Sequence, residues 1–136
     1  MNAPSLPSSS PLRIAIAGAS GRMGRMLIEA ARASDDCTLT GALDIPSSPA
    51  LGTDATAFLG AASGVLITAD LRQGLAHADV LIDFTRPEGT LAHLALCAEL
   101  GVKAVIGTTG FSEAQKAEIA QLAPRTGVVF APNMSV

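Results

Sequence analysis

The chain has 136 residues, 49% of them hydrophobic and 15% charged, with a mean hydropathy of +0.41, which suits one packed domain and argues against disorder. Nine Lys and Arg against twelve Asp and Glu give a net charge of -3, without the basic stripe that would draw a protein to nucleic acid. Trp and Tyr are absent and aromatic residues make up 3%, which excludes base-stacking platforms and the tyrosine general acid of a short-chain dehydrogenase.

The first eleven residues are rich in Ser and Pro, carry no positive charge and lack the apolar run of a signal peptide. They are expected to form a loose tail before a single domain at 12–136. No stretch approaches the roughly 18 apolar residues of a membrane span. Cys37 and Cys97 have neither CxxC spacing nor a nearby His pair, so neither a zinc site nor a disulfide framework is expected. Both read as small buried thiols of a reducing compartment, the cytoplasm.

Short apolar runs at 12–17, 38–43, 65–68, 80–84, 103–107 and 127–131 read as strands buried on both faces. Between the first two, Met23, Met26, Leu27, Ala30 and Ala31 follow helical spacing and predict an amphipathic helix. The stretch 44–63 is rich in Pro, Ser, Gly and Thr and reads as a long connection with one helical turn near 55–59. Further helices are predicted over 71–77, 87–100 and 112–123. Thr85-x-x-Glu88 and Ser112-x-x-Gln115 fit the capping box, and Pro87 falls in a first turn, where its missing donor costs nothing. Leu91, Leu94, Ala95 and Ala98 supply the apolar stripe of one helix, and Ile119, Leu122 and Ala123 a weaker one for the last. Strands alternating with crossover helices predict an α/β fold, a Rossmann-type doubly wound parallel sheet with helices over both faces. Ligands of such sheets bind at the carboxyl ends of the strands.

The first strand end carries Gly18-Ala19-Ser20-Gly21-Arg22-Met23-Gly24, directly before a helix. Glycines there permit a tight turn and a close approach of backbone amides to a pyrophosphate at the positive helix N-terminus. GxxGxxG alone is a weak signal, and a purely structural turn is the competing reading. Asp44 strengthens the functional one: it ends the second strand twenty residues after Gly24, where an acid accepts from adenosine ribose hydroxyls. Arg22 and Arg25 open the helix at the end disfavoured for cations, a cost that a bound anion would offset; Arg25 could equally face solvent. Later strand ends carry Asp83-Phe84-Thr85-Arg86-Pro87-Glu88-Gly89-Thr90, Gly107-Thr108-Thr109-Gly110-Phe111 and Ala131-Pro132-Asn133-Met134-Ser135-Val136. His77 and His93 fall inside predicted helices and read as surface or structural residues, and Asp83 has no acid-base partner evident from spacing.

In these segments, in this order, the sequence resembles the 4-hydroxy-tetrahydrodipicolinate reductase (dihydrodipicolinate reductase) family of bacterial lysine and diaminopimelate biosynthesis. The carriers are IAIAGASGRMG at 14–24, VLIDFTRPEGT at 80–90, VIGTTGF at 105–111 and APNMSV at 131–136. The resemblance implies an oxidoreductase that uses NADH or NADPH to reduce the unsaturated ring formed from pyruvate and aspartate semialdehyde. By motif position it implies that Gly18, Ala19, Ser20, Gly21, Arg22 and Met23 hold the pyrophosphate and Asp44 the adenosine ribose. Gly107, Thr108 and Thr109, with Ala131, Pro132, Asn133 and Met134, fall on the nicotinamide side, and Phe84 and Arg86 lie nearby.

The family's second domain, with its substrate-binding sheet, paired histidines and lysine proton donor, would begin after Val136. No catalytic residue and no metal ligand is therefore assigned here, and the family's tetramer, built from second domains, is not expected of this chain. The acid at Asp44 is followed by Ile45, where readily NADPH-using members carry arginine, and no Lys or Arg occurs from Ala33 to Leu71. NADH is expected to bind at least as well as NADPH. A non-catalytic nucleotide- or CoA-sensing Rossmann module is the competing reading of such a domain.

Overall fold

In the computed structural model, which describes residues 10–130, six strands form one all-parallel sheet. The strands are β1 (Leu12–Ala17), β2 (Cys37–Leu43), β3 (Ile67–Thr68), β4 (Val80–Asp83), β5 (Lys103–Ile106) and β6 (Val128–Phe130), and the helices are α1 (Arg22–Ala33), α2 (Leu71–Leu75), α3 (Pro87–Leu100) and α4 (Glu113–Leu122). The sheet order is β3-β2-β1-β4-β5-β6. Chain direction across the sheet reverses at β1, which places a crevice between the carboxyl ends of β1 and β4. Residues 1–9 of the expected tail and Ala131, the last residue of the predicted sixth strand, lie outside the described residues. No helix among the described residues is long and apolar enough to cross a membrane.

Alternation along β1 divides the core. Ile14 and Ile16 pack with Ile28 of α1, Ala42 and Ile67, whereas Ala15 and Ala17 pack with Leu43, Leu75, Leu81 and Cys97 on the other face. A third cluster joins Leu94 of α3 to Ala104, Ile106 and Ile119. Right-handed crossovers explain this partition: α1 connects strands running one way from β1, and α2, α3 and α4 connect strands running the other way. Helices flank both faces of the sheet, as expected, and cover them most fully over β1 to β3. On the α1 face of β4 to β6, Val80, Ile82 and Val105 are half-buried, and Val129 is 59% exposed.

Element types agree with the sequence reading, and the details differ for local reasons. β3 is two residues long, because Leu66 bridges antiparallel to Asp54 and leaves the sheet. α2 stops at Leu75, and the exposed His77 follows it in a turn. The buried stripe of α1 is Gly24, Ile28 and Ala31, with Met26 58% exposed. That of α3 is Thr90, Leu94 and Cys97, with Ala95 outside. The capping box at Ser112 and Gln115 forms in full. The one at Thr85 does not: Arg86 is the N-cap, and the Thr85 hydroxyl turns back to Asp83. Both cysteines are free; Cys97 is buried, and burial, aided by the Asp83 charge, pushes its thiol up to about 12. Cys37 is half-buried.

The connection at 44–66 is ordered by one carboxylate. Asp54 accepts from the Thr56, Ser63 and Gly64 amides and from the Thr56 and Ser63 hydroxyls. These bonds hold its pKa far below the ordinary carboxylate value, led by the Thr56 amide.

α2 lies unusually close to β2. A Cβ on Gly41 would sit 1.8 Å from the Gly74 carbonyl oxygen, and one on Gly74 would meet Leu43. Gly41 follows a register shift at Ile14/Ala15 that leaves Thr40 without an opposite residue. Backbone faces the Gly41 position, so Gly41→Ala must push α2 away and is expected to cost about 2–3 kcal/mol, as overpacking does. Thermal or urea unfolding of the variant measures the loss.

Candidate functional site

The turn after β1 is folded onto itself and onto β2. Gly18 has φ +76°, a conformation that favours glycine, and the Gly18 and Ala19 amides both donate to the Leu43 carbonyl at 2.8 and 3.0 Å. The Gly21 amide donates to the Gly18 carbonyl at 3.0 Å. Gly24 is required by proximity: a Cβ there would lie 2.0 Å from the Gly18 oxygen. This contact brings the start of α1 against the turn. Gly21 is the N-cap, and no side chain caps the first turn. The orphan amides there keep their capacity to receive an anion. Of the six predicted cradle residues, Gly18 and Ala19 thus spend their amides on the end of β2, and Gly21 spends its amide within the turn. Arg22 is exposed and Met23 half-buried at the uncapped start of α1. Arg25 is exposed, as one of the two sequence expectations had it, and its guanidinium lies 5.0 Å from the centre of the Phe58 ring.

Asp44 sits at the end of β2, half-buried beside that turn. Its Oδ1 accepts from the Ile45 amide at 2.9 Å. Its Oδ2 accepts from the Ser20 amide at 3.3 Å, the Ser20 hydroxyl, and the Ser48 hydroxyl at 3.1 Å. The glycine turn and the acid, separate signals in the sequence, are thus directly bonded.

A cleft of about 730 Å³ opens above the strand ends, lined by Gly18, Asp44, Ile45, Phe84, Thr85, Arg86 and His93 among others. The ring of Phe84 lies against the backbone of Gly107, where a Cβ would come within 1.9 Å of it. Thr108 is buried; its hydroxyl receives the Thr90 hydroxyl at 2.8 Å and donates to the Asp83 carbonyl at 3.4 Å, fixing the loop after β5 to α3 and β4. Thr109 and Arg86 are exposed. The predicted Ala131, Pro132, Asn133 and Met134 lie outside the described residues.

The sequence reading missed the partner of Asp83. His93 Nδ1 lies 2.6 Å from Asp83 Oδ2, and Asp83 Oδ1 accepts from the Thr85 amide at 2.9 Å and from the Thr85 hydroxyl at 2.6 Å. Burial pushes the Asp83 pKa up, but the His93 bond and charge together with Thr85 outweigh it and hold the carboxyl below its ordinary value. An ionised carboxylate only accepts, so Nδ1 carries the proton and the imidazole keeps Nε2 for the cleft that His93 lines. The sequence carried no clear signal for this pair, because the inward stripe of α3, Thr90, Leu94 and Cys97, which brings the neighbouring His93 toward the strand-end acid, differs from the one its apolar spacing predicts.

Comparison with known proteins gives a consistent result. The family model described as "Dihydrodipicolinate reductase, N-terminus" matches residues 12–134. A 4-hydroxy-tetrahydrodipicolinate reductase of Herminiimonas arsenicoxydans is 66% identical over 125 residues, 92% of this chain and 47% of the relative. The chain therefore spans about half the length of such curated relatives. A dipicolinate-bound dihydrodipicolinate reductase from Paenisporosarcina sp. TG-14 superposes with a TM-score of 0.72 at 28% identity, over 91% of this chain and 48% of that one. The WlbA dehydrogenase from Chromobacterium violaceum, solved with NADH and UDP-GlcNAcA, shares the fold at a TM-score of 0.71 and 20% identity, over 96% of this chain and 37% of that one.

Replacing His93 by Leu leaves the buried Asp83 carboxylate with Thr85 alone. The loss expected at pH 7 is about 1–3 kcal/mol, the cost of a buried acceptor left short of a donor. Because the folded pKa of Asp83 is depressed, its stabilising contribution exists above the unfolded value of about 4 and fades as pH falls through the folded one. The stability gap between parent and variant is expected to narrow over that acidic range, measured by urea unfolding from pH 7 to pH 3.

Proposed function

The chain belongs to the dihydrodipicolinate reductase family, matching its N-terminal part, and from this premise we propose that residues 12–136 are the dinucleotide-binding part of an NAD(P)H-dependent 4-hydroxy-tetrahydrodipicolinate reductase. The reaction is the reduction of a cyclic unsaturated dicarboxylate in lysine and diaminopimelate biosynthesis. The observation that carries the reading is the direct bonding of the glycine turn to Asp44 at the mouth of the cleft. The two groups that would receive a pyrophosphate and its neighbouring ribose are held at the distance of one hydrogen bond.

The residues fit such a ligand. The turn 18–23 offers the pyrophosphate the uncapped first-turn amides of α1 and the positive end of its dipole. Gly21 brings no side chain to the approach, and a Cβ there would already lie 3.3 Å from the Gly18 oxygen. Asp44 is the acceptor for ribose hydroxyls. Phe84 and Arg86 line the cleft between the two ends of the ligand. Gly107, Thr108 and Thr109, with 131–134, bound the nicotinamide side; Thr108 acts by fixing that loop, because its hydroxyl is committed to Thr90 and Asp83. A bound reduced nicotinamide supplies hydride equivalents for the reduction. The contribution of this chain is to orient the ligand across the crevice, and orientation is a large share of catalysis.

Preference between the two dinucleotides follows from charge. Ile45 is 62% exposed at the cleft and offers apolar surface but no donor to a 2′-phosphate, which would also face the Asp44 carboxylate. NADH therefore binds at least as tightly as NADPH. A charge-assisted hydrogen bond contributes about 1.5–3 kcal/mol, so Ile45→Arg is expected to shift preference toward NADPH, read by paired calorimetric titrations at one ionic strength. A clear NADPH preference in the parent would overturn this assignment.

Gly21→Val tests the binding mode itself. The added Cβ needs the Gly18 carbonyl to give by a few tenths of an ångström, whereas the branched side chain blocks the pyrophosphate approach, so NADH affinity is expected to fall by at least about tenfold, or 1.4 kcal/mol, in a variant that melting temperature shows to be folded. Unchanged NADH affinity in the folded variant, followed by NADH fluorescence, would remove the reading.

A further inference from the structure

Asp44 has more donors than one of its oxygens can serve. A carboxylate oxygen offers about two lone-pair sites, yet Oδ2 receives three donors: the Ser20 amide at 3.3 Å, the Ser20 hydroxyl and the Ser48 hydroxyl at 3.1 Å. Oδ1 receives only the Ile45 amide, at 2.9 Å. A ribose diol that binds a carboxylate in two-pronged fashion needs one site on each oxygen. Oδ1 has a site to give and Oδ2 has none.

One of the three donors must therefore leave, and they are not equally free. The Ser20 amide is part of the turn backbone. The Ser48 hydroxyl is pinned from a second side, because its oxygen also accepts the Ala50 amide at 3.1 Å. The Ser20 hydroxyl bonds, among the described residues, to Asp44 alone, and rotation about one side-chain torsion releases it.

We propose that Ser20 is a specificity-determining residue whose hydroxyl occupies, on Asp44, the hydrogen-bonding position that an adenosine 2′,3′-diol requires. The proposal rests on the assignment of Asp44 to the ribose. Binding of a diol exchanges the Ser20 bond for a ribose bond, so part of the ligand's interaction replaces one the protein already makes. A 2′-phosphate brings no proton for Asp44 at that position and gains nothing from a vacated lone pair; the Ser20 hydroxyl is instead a donor that it can use. Ser20 thus weakens binding of the dinucleotide with a free diol and leaves, or helps, that of its 2′-phosphorylated form.

Calorimetric titration of the parent chain, Ser20→Ala and Asp44→Asn with NADH and with NADPH tests this. Ser20→Ala is expected to tighten NADH on the order of tenfold, the lower end of what a hydrogen bond to a charged group contributes, with NADPH unchanged or weaker, so that the ratio of the two constants moves. Melting temperature reports whether the variants remain folded. Asp44→Asn separates the proposal from the assignment beneath it. If Asp44→Asn weakens NADH while Ser20→Ala leaves it unchanged, weakens it, or tightens both dinucleotides alike, the competition is wrong and the ribose assignment stands. If Asp44→Asn leaves NADH affinity unchanged, or the parent binds neither dinucleotide, the assignment falls and the proposal with it.

Discussion

The handedness of the crossover connections governs this molecule. β1 has parallel neighbours on both sides, β2 and β4. Both are reached by crossovers of one hand, so the connection to one side must pass over the opposite face from those to the other. From this follow the burial of alternate β1 residues in two different clusters and the half-covered apolar face of β4 to β6. The crevice follows as well, because loops leaving β1 and β4 depart toward opposite faces and cannot close over the strand ends between them. The cleft edged by Gly18 and Asp44 on one side and by Phe84 and His93 on the other is that crevice.

Within this frame the site is shaped by backbone approaching backbone or ring more closely than a side chain permits. Gly24 sets the start of α1 against the Gly18 carbonyl, and Gly107 receives the face of Phe84. Close packing of this kind fixes position without flexible side chains, so little ordering would remain for the proposed ligand to impose. Gly41 and Gly74 serve the same end away from the cleft: they bring α2 down on β2, and Asp70, the α2 N-cap, accepts from the Gln73 amide.

Two aspartates at neighbouring strand ends meet opposite electrostatic demands. Asp83 is buried, and its charge is tolerable because every part of the carboxylate has a donor, His93 on one oxygen and Thr85 on the other. It serves as an internal strut that ties α3 to β4. Asp44 is half-buried, and its donors are the glycine turn, a loop serine and the amide of the residue that follows it. Water can compete for such an acceptor at modest cost, which suits the ribose-binding role proposed for Asp44 and would not suit a strut.

The sequence by itself determined what local periodicity and spacing can carry. Apolar runs separated by helical segments marked all six strands and the four crossover helices, and the placement of GxxGxxG before a helix, with Asp44 after the second strand, located the glycine turn and the acid. The family motifs assigned the remaining positions. The tertiary structure alone decided contacts between residues distant in the chain: the Asp83 and His93 pair, the Thr90 and Thr108 bridge, the seating of Arg25 on Phe58, and the Ser20 bond to Asp44. It also decided which residues of α1 and α3 face inward, because a helix of mostly small and apolar residues presents several usable stripes and the sheet beneath selects one. Thr85 shows the physical reason most plainly. Its spacing to Glu88 fits a capping box, but a buried carboxylate two residues earlier in the chain competes for the same hydroxyl, and a hydrogen bond to a buried charge contributes more than a surface cap.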